Sequence, residues 1–243
     1  MNPRDILRSP LGLEAAAREA RHAALEKISD EFGATRIATA HHRDDQTETV
    51  LERVTRGAGS RGLRGILPVK GRWVRPFLDV GRESIDKFAA SRRLEWREDP
   101  TNADTDRARN AIRHRVLPAL RDARPGCDEV LARTAEIARR EDAVLEQVFR
   151  EVLASCARCE SGVWILGVEA LLAEHIDRRR VFWHRFLWEI GSSRVDLDLA
   201  DELEMLLFTP NRRSGFPVGM ALYARRERGC ITIAPAATAA RGG

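Results

Sequence analysis

Between Leu13 and Arg56 the apolar pattern changes its period twice, which restricts the chain to folds that pack helices on a sheet. Small and apolar residues recur at three and four positions through Leu13, Ala16, Ala17, Ala20, Ala24, Ile28 and Phe32, one face of an amphipathic helix, and Gly33 stands where such a helix ends. Arg36-Ile37-Ala38-Thr39-Ala40 is a short run of mostly small and apolar residues and predicts a buried parallel strand. His41-His42-Arg43-Asp44-Asp45 leads into a second helix reaching Arg56. Helix, strand, loop, helix is the order of an α/β protein.

Further on, the pattern predicts a strand near Trp73 to Leu78, a helix from Arg82 to Arg92, a polar loop from Asp99 to Thr105 and a basic helix up to Pro118. Arg124-Pro125-Gly126 punctuates the chain, and the composition changes beyond it. The expected organisation is therefore an α/β portion over 1–124, a smaller, mostly helical domain over 125–235, and a disordered tail over 236–243. The helices expected in the second part are Leu131 to Leu153, with Ile137, Val144, Leu145, Val148 and Val152 on one stripe, Arg178 to Ile190 with Phe182, Trp183, Phe186 and Leu187, and Leu197 to Phe208 with Leu199, Leu203 and Leu206. A hairpin turning at Gly229 joins Ala221–Arg225 to Cys230–Ala234.

With 43% hydrophobic and 32% charged residues the composition is globular, and no apolar run approaches the ~18 residues of a membrane span. The first residues lack the pattern of a secretory leader, so a cytoplasmic location is expected. Of 41 basic residues all but Lys27, Lys70 and Lys87 are arginines. Guanidinium matches phosphate in a two-pronged geometry and stacks on bases, which favours an RNA or nucleotide partner; codon bias would enrich arginine as well. Cys156-Ala157-Arg158-Cys159 has no second pair spaced for zinc, so the four cysteines read as reduced thiols and no metal site is expected.

Gly57-Ala58-Gly59-Ser60-Arg61-Gly62 matches the dinucleotide pattern G-x-G-x-x-G, but a helix, not a strand, runs into it, and the fingerprint needs the reverse context. The densest chemistry is His41-His42-Arg43-Asp44-Asp45-Gln46-Thr47-Glu48, two imidazoles and three carboxylates where a strand should end, the usual ligand edge of an open α/β sheet. Three readings stand beside each other. It is a substrate site, a local cap with Asp45 as N-cap and Glu48 three residues on, or a divalent metal site.

The stretch Ala38 to Thr49, followed by Thr55-Arg56-Gly57-Ala58-Gly59-Ser60-Arg61-Gly62-Leu63, resembles the signature of the tRNA(Ile)-lysidine synthases, a family of PP-loop ATPases. Arg75-Pro76-Phe77-Leu78, Glu98-Asp99-Pro100-Thr101-Asn102 and Arg109-Asn110-Ala111-Ile112-Arg113 with Val116-Leu117-Pro118 continue the resemblance in order, and Leu13 to Arg21 is similar to the helix before the signature. The resemblance implies a partial PP-loop, adenine nucleotide alpha hydrolase-like parallel-sheet domain and a tRNA-binding helical domain. It also implies an enzyme that uses ATP with Mg2+ to activate the wobble cytidine of tRNA(Ile) at C2, where the ε-amine of free L-lysine then displaces AMP. By that resemblance Glu48 is the base, Asp45 holds the lysine ammonium and His41 borders the nucleotide or cytosine. Arg18 and Arg21 contact ATP phosphates, and Arg56, Arg109 and Arg113 contact tRNA. The family's Ser-Gly-Gly-x-Asp-Ser nucleotide loop does not occur in the sequence, so the expectation is a truncated or incomplete form with little activity by itself. The alternatives are a non-catalytic RNA-binding remnant and another PP-loop tRNA-modifying enzyme, such as a thiolase.

Overall fold

In the computed structural model, residues 13–96, 107–209, 215–227 and 229–236 are described. The expected loop Asp99–Thr105, the Glu98–Asn102 motif and the tail beyond residue 236 lie outside them. The chain divides into two units, 1–140 and 141–243. Helix Cys127–Cys156 is continuous through the division and contributes to each.

The first unit begins with α1 (Leu13–Glu31), β1 (Ile37–Ala38) and α2 (Arg43–Thr55), as the changes of period predict. Gly33 ends α1 with φ of +63°, a conformation that costs a glycine nothing. The predicted apolar face is rotated, however. Ile28 and Phe32 are exposed, while Ser29 is buried, since its hydroxyl donates to Ala34 O and accepts from Arg72 Nη2. His22 stacks on Trp73 with ring centroids 4.2 Å apart, and Glu26 accepts from the Trp73 indole at 3.2 Å. Polar and aromatic contacts, more than aliphatic ones, thus choose which side of α1 faces inward.

After the short helix α3 (Ser60–Leu63) come β2 (Val69–Lys70) and β3 (Trp73–Val74). β1 pairs with β3 in parallel, as expected, but β2 pairs with β3 antiparallel through a tight hairpin at Gly71, so the sheet, ordered β1-β3-β2, is mixed. α4 (Arg82–Ser91) follows, then α5 (Arg107–Ala111), a π-helical turn (Ile112–Val116) and α6 (Leu117–Ala123) in unbroken succession. The basic helix expected to stop at Pro118 instead continues through it, with the proline in the first turn of α6 directly after the π turn.

The second unit takes the C-terminal part of α7 (Cys127–Cys156), then β4 (Ala157–Glu160), β5 (Val163–Gly167), α8 (Val168–Ala173), α9 (Ile176–Glu189), α10 (Leu197–Met205), β6 (Phe216–Pro217), β7 (Leu222–Glu227) and β8 (Cys230–Pro235). The expected terminal hairpin is β7–β8, and it sits inside a five-stranded antiparallel sheet ordered β4-β5-β8-β7-β6 that accompanies the helices of this unit. Ile231 and Ile233 alternate inward from β8 to meet Phe149, Phe182, Trp183, Phe186, Leu187, Leu199 and Leu203, all at most 1% exposed. Full burial contributes roughly 1.5–3 kcal/mol for each large apolar side chain. The α7 stripe differs from the expected one. Ile137 and Val144 are exposed and Asp142 is buried, because Asp142 binds the buried Arg185 of α9.

Candidate functional site

Strand β1 delivers the histidines. Ile37 N–H donates to Arg72 O at 2.8 Å and Thr39 N–H to Val74 O at 3.0 Å, so β3 fixes the chain up to the loop that carries His41 and His42. α2 starts at Arg43 with His42 as its N-cap, and Asp45, third in the helix, accepts the His42 N–H at 3.0 Å. The local reading of Asp45 as N-cap is therefore off by three residues. Asp44 and Asp45 both stand in the first turn, where the positive end of the helix favours carboxylates, and Glu48 follows one turn later.

Glu48 is 2% exposed, and a carboxylate at that depth requires donors. Arg109 donates from Nε to Glu48 Oε2 at 2.9 Å and from Nη2 to Asp45 Oδ1 at 3.1 Å. Arg113 donates from Nε to Glu48 Oε1 at 2.6 Å and from Nη2 to Oε2 at 2.9 Å. The sequence places residues 109 and 113 one turn apart so that both can meet an anion, and the anion they meet is this pair of carboxylates. The bond to Glu48 raises the Arg113 guanidinium above its usual range, against the opposing effect of burial.

Asp44, which capping did not explain, has a structural task. It accepts the Arg82 N–H at 3.0 Å and Arg121 Nη2 at 2.9 Å, while Arg121 clamps Asp128 through two bonds of 2.8 Å. That clamp holds Asp128 below the usual carboxylate range although burial opposes it. The start of α2 is thereby tied to α6 and to the start of α7, which fixes the direction in which Asp45 and Glu48 are presented.

His41 accompanies the acids but belongs to a cationic neighbourhood. Its Nδ1 lies 2.8 Å from Thr39 Oγ1. Burial lowers its pKa; Asp45 opposes this, and the charges of Arg75, Arg18 and Arg109 reinforce it. Arg18 is also felt at His22, Arg53 and Arg75. Burial depresses both Arg53 and Arg75; Arg53 is held by Gly62 O and Gly65 O at 2.6 and 2.8 Å, and Arg75 by Leu67 O at 2.8 Å. The buried Nε of Arg75 has no partner among the described residues, which suits an anion. Gly65, at φ +61°, permits this packing, since a Cβ there would stand 2.5 Å from Gln46 Oε1.

The structure thus brings Glu48, Asp45, His41, Arg109, Arg113 and, through its charge, Arg18 into one region. Arg21 is on the exposed side of α1, and Arg56 is exposed beyond the end of α2, eight residues or roughly 12 Å along the axis from Glu48, paired with Glu52. Arg53, Arg75 and Arg121 escaped the sequence reading. Only Arg75 carried a signal, its place in Arg75-Pro76-Phe77-Leu78. In the second unit, consecutive Arg178, Arg179 and Arg180 all serve internal pairing: Arg179 is buried against Glu204, Arg178 binds Glu174 and Glu151, and exposed Arg180 lies 3.6 Å from Asp177.

All four cysteines are free, and among the described residues no group of three or more His, Cys, Asp and Glu side chains could hold a metal ion. Among the same residues no helix is long and apolar enough to cross a membrane.

Residues 3–120 match the model of the PP-loop domain. The chain is 37% identical over 206 residues to the tRNA(Ile)-lysidine synthase of Geobacter sulfurreducens, covering 83% of this chain and 44% of that protein. It is 46% identical over 220 residues to that of Thermobifida fusca, covering 76% and 64%, and 39% identical over 178 residues to that of Aromatoleum aromaticum, covering 72% and 40%. The chain therefore spans between two fifths and two thirds of the length of these relatives. With the ordered motifs from Ala38 to Pro118, these likenesses show that the chain belongs to the PP-loop family represented by the tRNA(Ile)-lysidine synthases.

Proposed function

We propose that the chain carries the amine-transfer region of an ATP-dependent ligase that joins L-lysine to the wobble cytidine of tRNA(Ile) in the cytoplasm. The observation that carries the reading is the acid pair of buried Glu48 and half-buried Asp45, presented after the C-terminal end of β1 in a chain similar to lysidine synthases. The ε-amine of lysine, with a pKa near 10.4, is almost wholly protonated at neutral pH and needs an acceptor for its proton before it attacks. Glu48 is that acceptor, and Asp45, one turn away, holds the ammonium as it arrives. His41, inclined to the neutral form by burial and by the arginines around it, borders the activated base without adding a competing cation.

ATP with Mg2+ supplies the activation of the cytidine oxygen. Arg18 and Arg75, one of them with an unpartnered buried nitrogen, fit its phosphates, with Arg21 further out on α1. Arg56, Arg109, Arg113 and the second unit receive the tRNA.

The test is incorporation of labelled lysine into tRNA(Ile), measured with RNA binding on the protein expressed from its gene with any residues encoded ahead of residue 1. Glu48→Ala lowers transfer by about 100-fold or more while RNA stays bound. Unchanged transfer removes Glu48 as the base. A second reading, a non-catalytic RNA-binding module, draws on the fact that Arg109 and Arg113 already occupy Glu48; in that case the protein binds RNA and transfers no lysine.

A further inference from the structure

The acid pair that should receive a cation is already holding two. Three guanidinium N–H groups converge on Glu48 and one on Asp45, whose other oxygen takes the His42 N–H. With both arginines in place the pair's two negative charges are balanced, and nothing remains to attract an ammonium. The exposures are unequal: 3% for the Glu48 side chain, against 33% for Arg109 and 38% for Arg113. A ligand approaching from solvent meets guanidinium first and carboxylate only after the guanidinium has moved.

We infer that Arg109 and Arg113 form a two-position latch, closed on Glu48 and Asp45 and opened when a phosphate ester takes the same guanidiniums, so that phosphate binding uncovers the acids for a cationic amine. The inference rests on the proposed function for the identity of that amine. Guanidinium binds carboxylate and phosphate in the same planar, two-pronged manner, so the two anions compete directly for it. The element that carries the latch is suited to shift. Arg113 lies in the π turn Ile112–Val116, whose extra residue per turn, on reverting to α register, rotates the residues before it against those after it. By linkage, whatever phosphate binding adds to amine affinity, amine binding adds to phosphate affinity.

The test separates the latch from the substrate assignment. Glu48→Gln with Asp45→Asn frees the arginines and strengthens binding of an RNA hairpin by about tenfold. The control, Glu83→Gln with Asp86→Asn on exposed α4, makes the same change in net charge, and the gain must exceed what the control gives. The gain disappears when Arg109→Ala and Arg113→Ala are added. A gain equal to the control's overturns the latch. A second measurement uses the unaltered chain and so does not depend on the variants folding: the Nε–H resonances of Arg109 and Arg113, identified through Arg109→Lys and Arg113→Lys, shift and exchange faster as hairpin or ATP is added. Whichever of the two produces the change is the source of the phosphate, and no change with either overturns the latch. L-lysine titrated calorimetrically binds about tenfold tighter once that phosphate is present. Lysine that binds in neither state, while the resonances move, overturns lysine as the occupant and leaves the arginine exchange standing.

Discussion

Arg113 donates from Nε and Nη2 to the two carboxylate oxygens of Glu48, at 2.6 and 2.9 Å, across 65 positions of sequence. Removing one member of such a pair strands the other, and breaking a fully buried pair costs about 3–5 kcal/mol. Arg113 is 38% exposed and Arg109 remains to serve Glu48, so Arg113→Ala should cost less, about 1–2 kcal/mol in urea unfolding. A loss as large as that of Arg109→Ala with Arg113→Ala together would show that Arg109 does not compensate.

Asp142 and Arg185 in the second unit form the more deeply buried pair, each side chain 4% exposed. Asp142→Ala leaves Arg185 with Glu146 alone and should destabilise the protein by about 2–4 kcal/mol, below the cost of stranding a buried charge outright. The double change Asp142→Leu with Arg185→Met should recover most of that loss, because it strands no buried charge and leaves the part-exposed Glu146 with Arg150. A double variant as unstable as the single one would mean that the pair positions α9 in a way apolar packing cannot reproduce.

His41 gives a stability change with a definite sign. Its folded pKa lies below the ordinary 6.5, chiefly through burial, so the unfolded chain binds the proton more readily. The stability it contributes is present above pH 6.5 and is lost as pH falls below that value. His22, also lowered by burial and by Arg18, acts in the same direction. Tm should fall between pH 7 and 5, and His41→Gln should flatten the fall. An unchanged slope in both His41→Gln and His22→Gln would exclude these imidazoles as its origin.

The thiols should react in order of exposure. Burial pushes the Cys156 thiol up to about 12 and raises that of Cys127 also, whereas Cys159 is exposed on β4. At pH 8 a maleimide should label Cys159 first and should label Cys156 and Cys127 only in denaturant; mass spectrometry of peptides reads the sites. Rapid labelling of Cys156 in the native protein would show that the end of α7 opens.

Much of the architecture is legible along the chain because a helix or strand writes its period into neighbouring residues. α1, β1, α2, α9, α10 and the β7–β8 hairpin follow from spacing alone. The inward face of α1 did not, because Ser29 is buried for what Arg72 offers it and His22 turns inward onto Trp73, and nothing near positions 22 or 29 announces those partners. β4 and β5 were not expected for a related reason: β5 completes its pairing only with β8, which lies more than 60 positions further along the chain.

The sequence by itself determined the α/β order of the first unit, the acid and histidine cluster after β1, and the ordered motifs that place the chain in its family. Only the tertiary structure decided what those acids touch. Periodicity is a property of adjacent turns, so it survives in one dimension, but pairing between charges depends on which surfaces the fold brings within about 3 Å. Arg109 and Arg113, read along the chain as a basic face for phosphate, lie 61 and 65 positions from Glu48 in sequence and in direct hydrogen bonds with it in space.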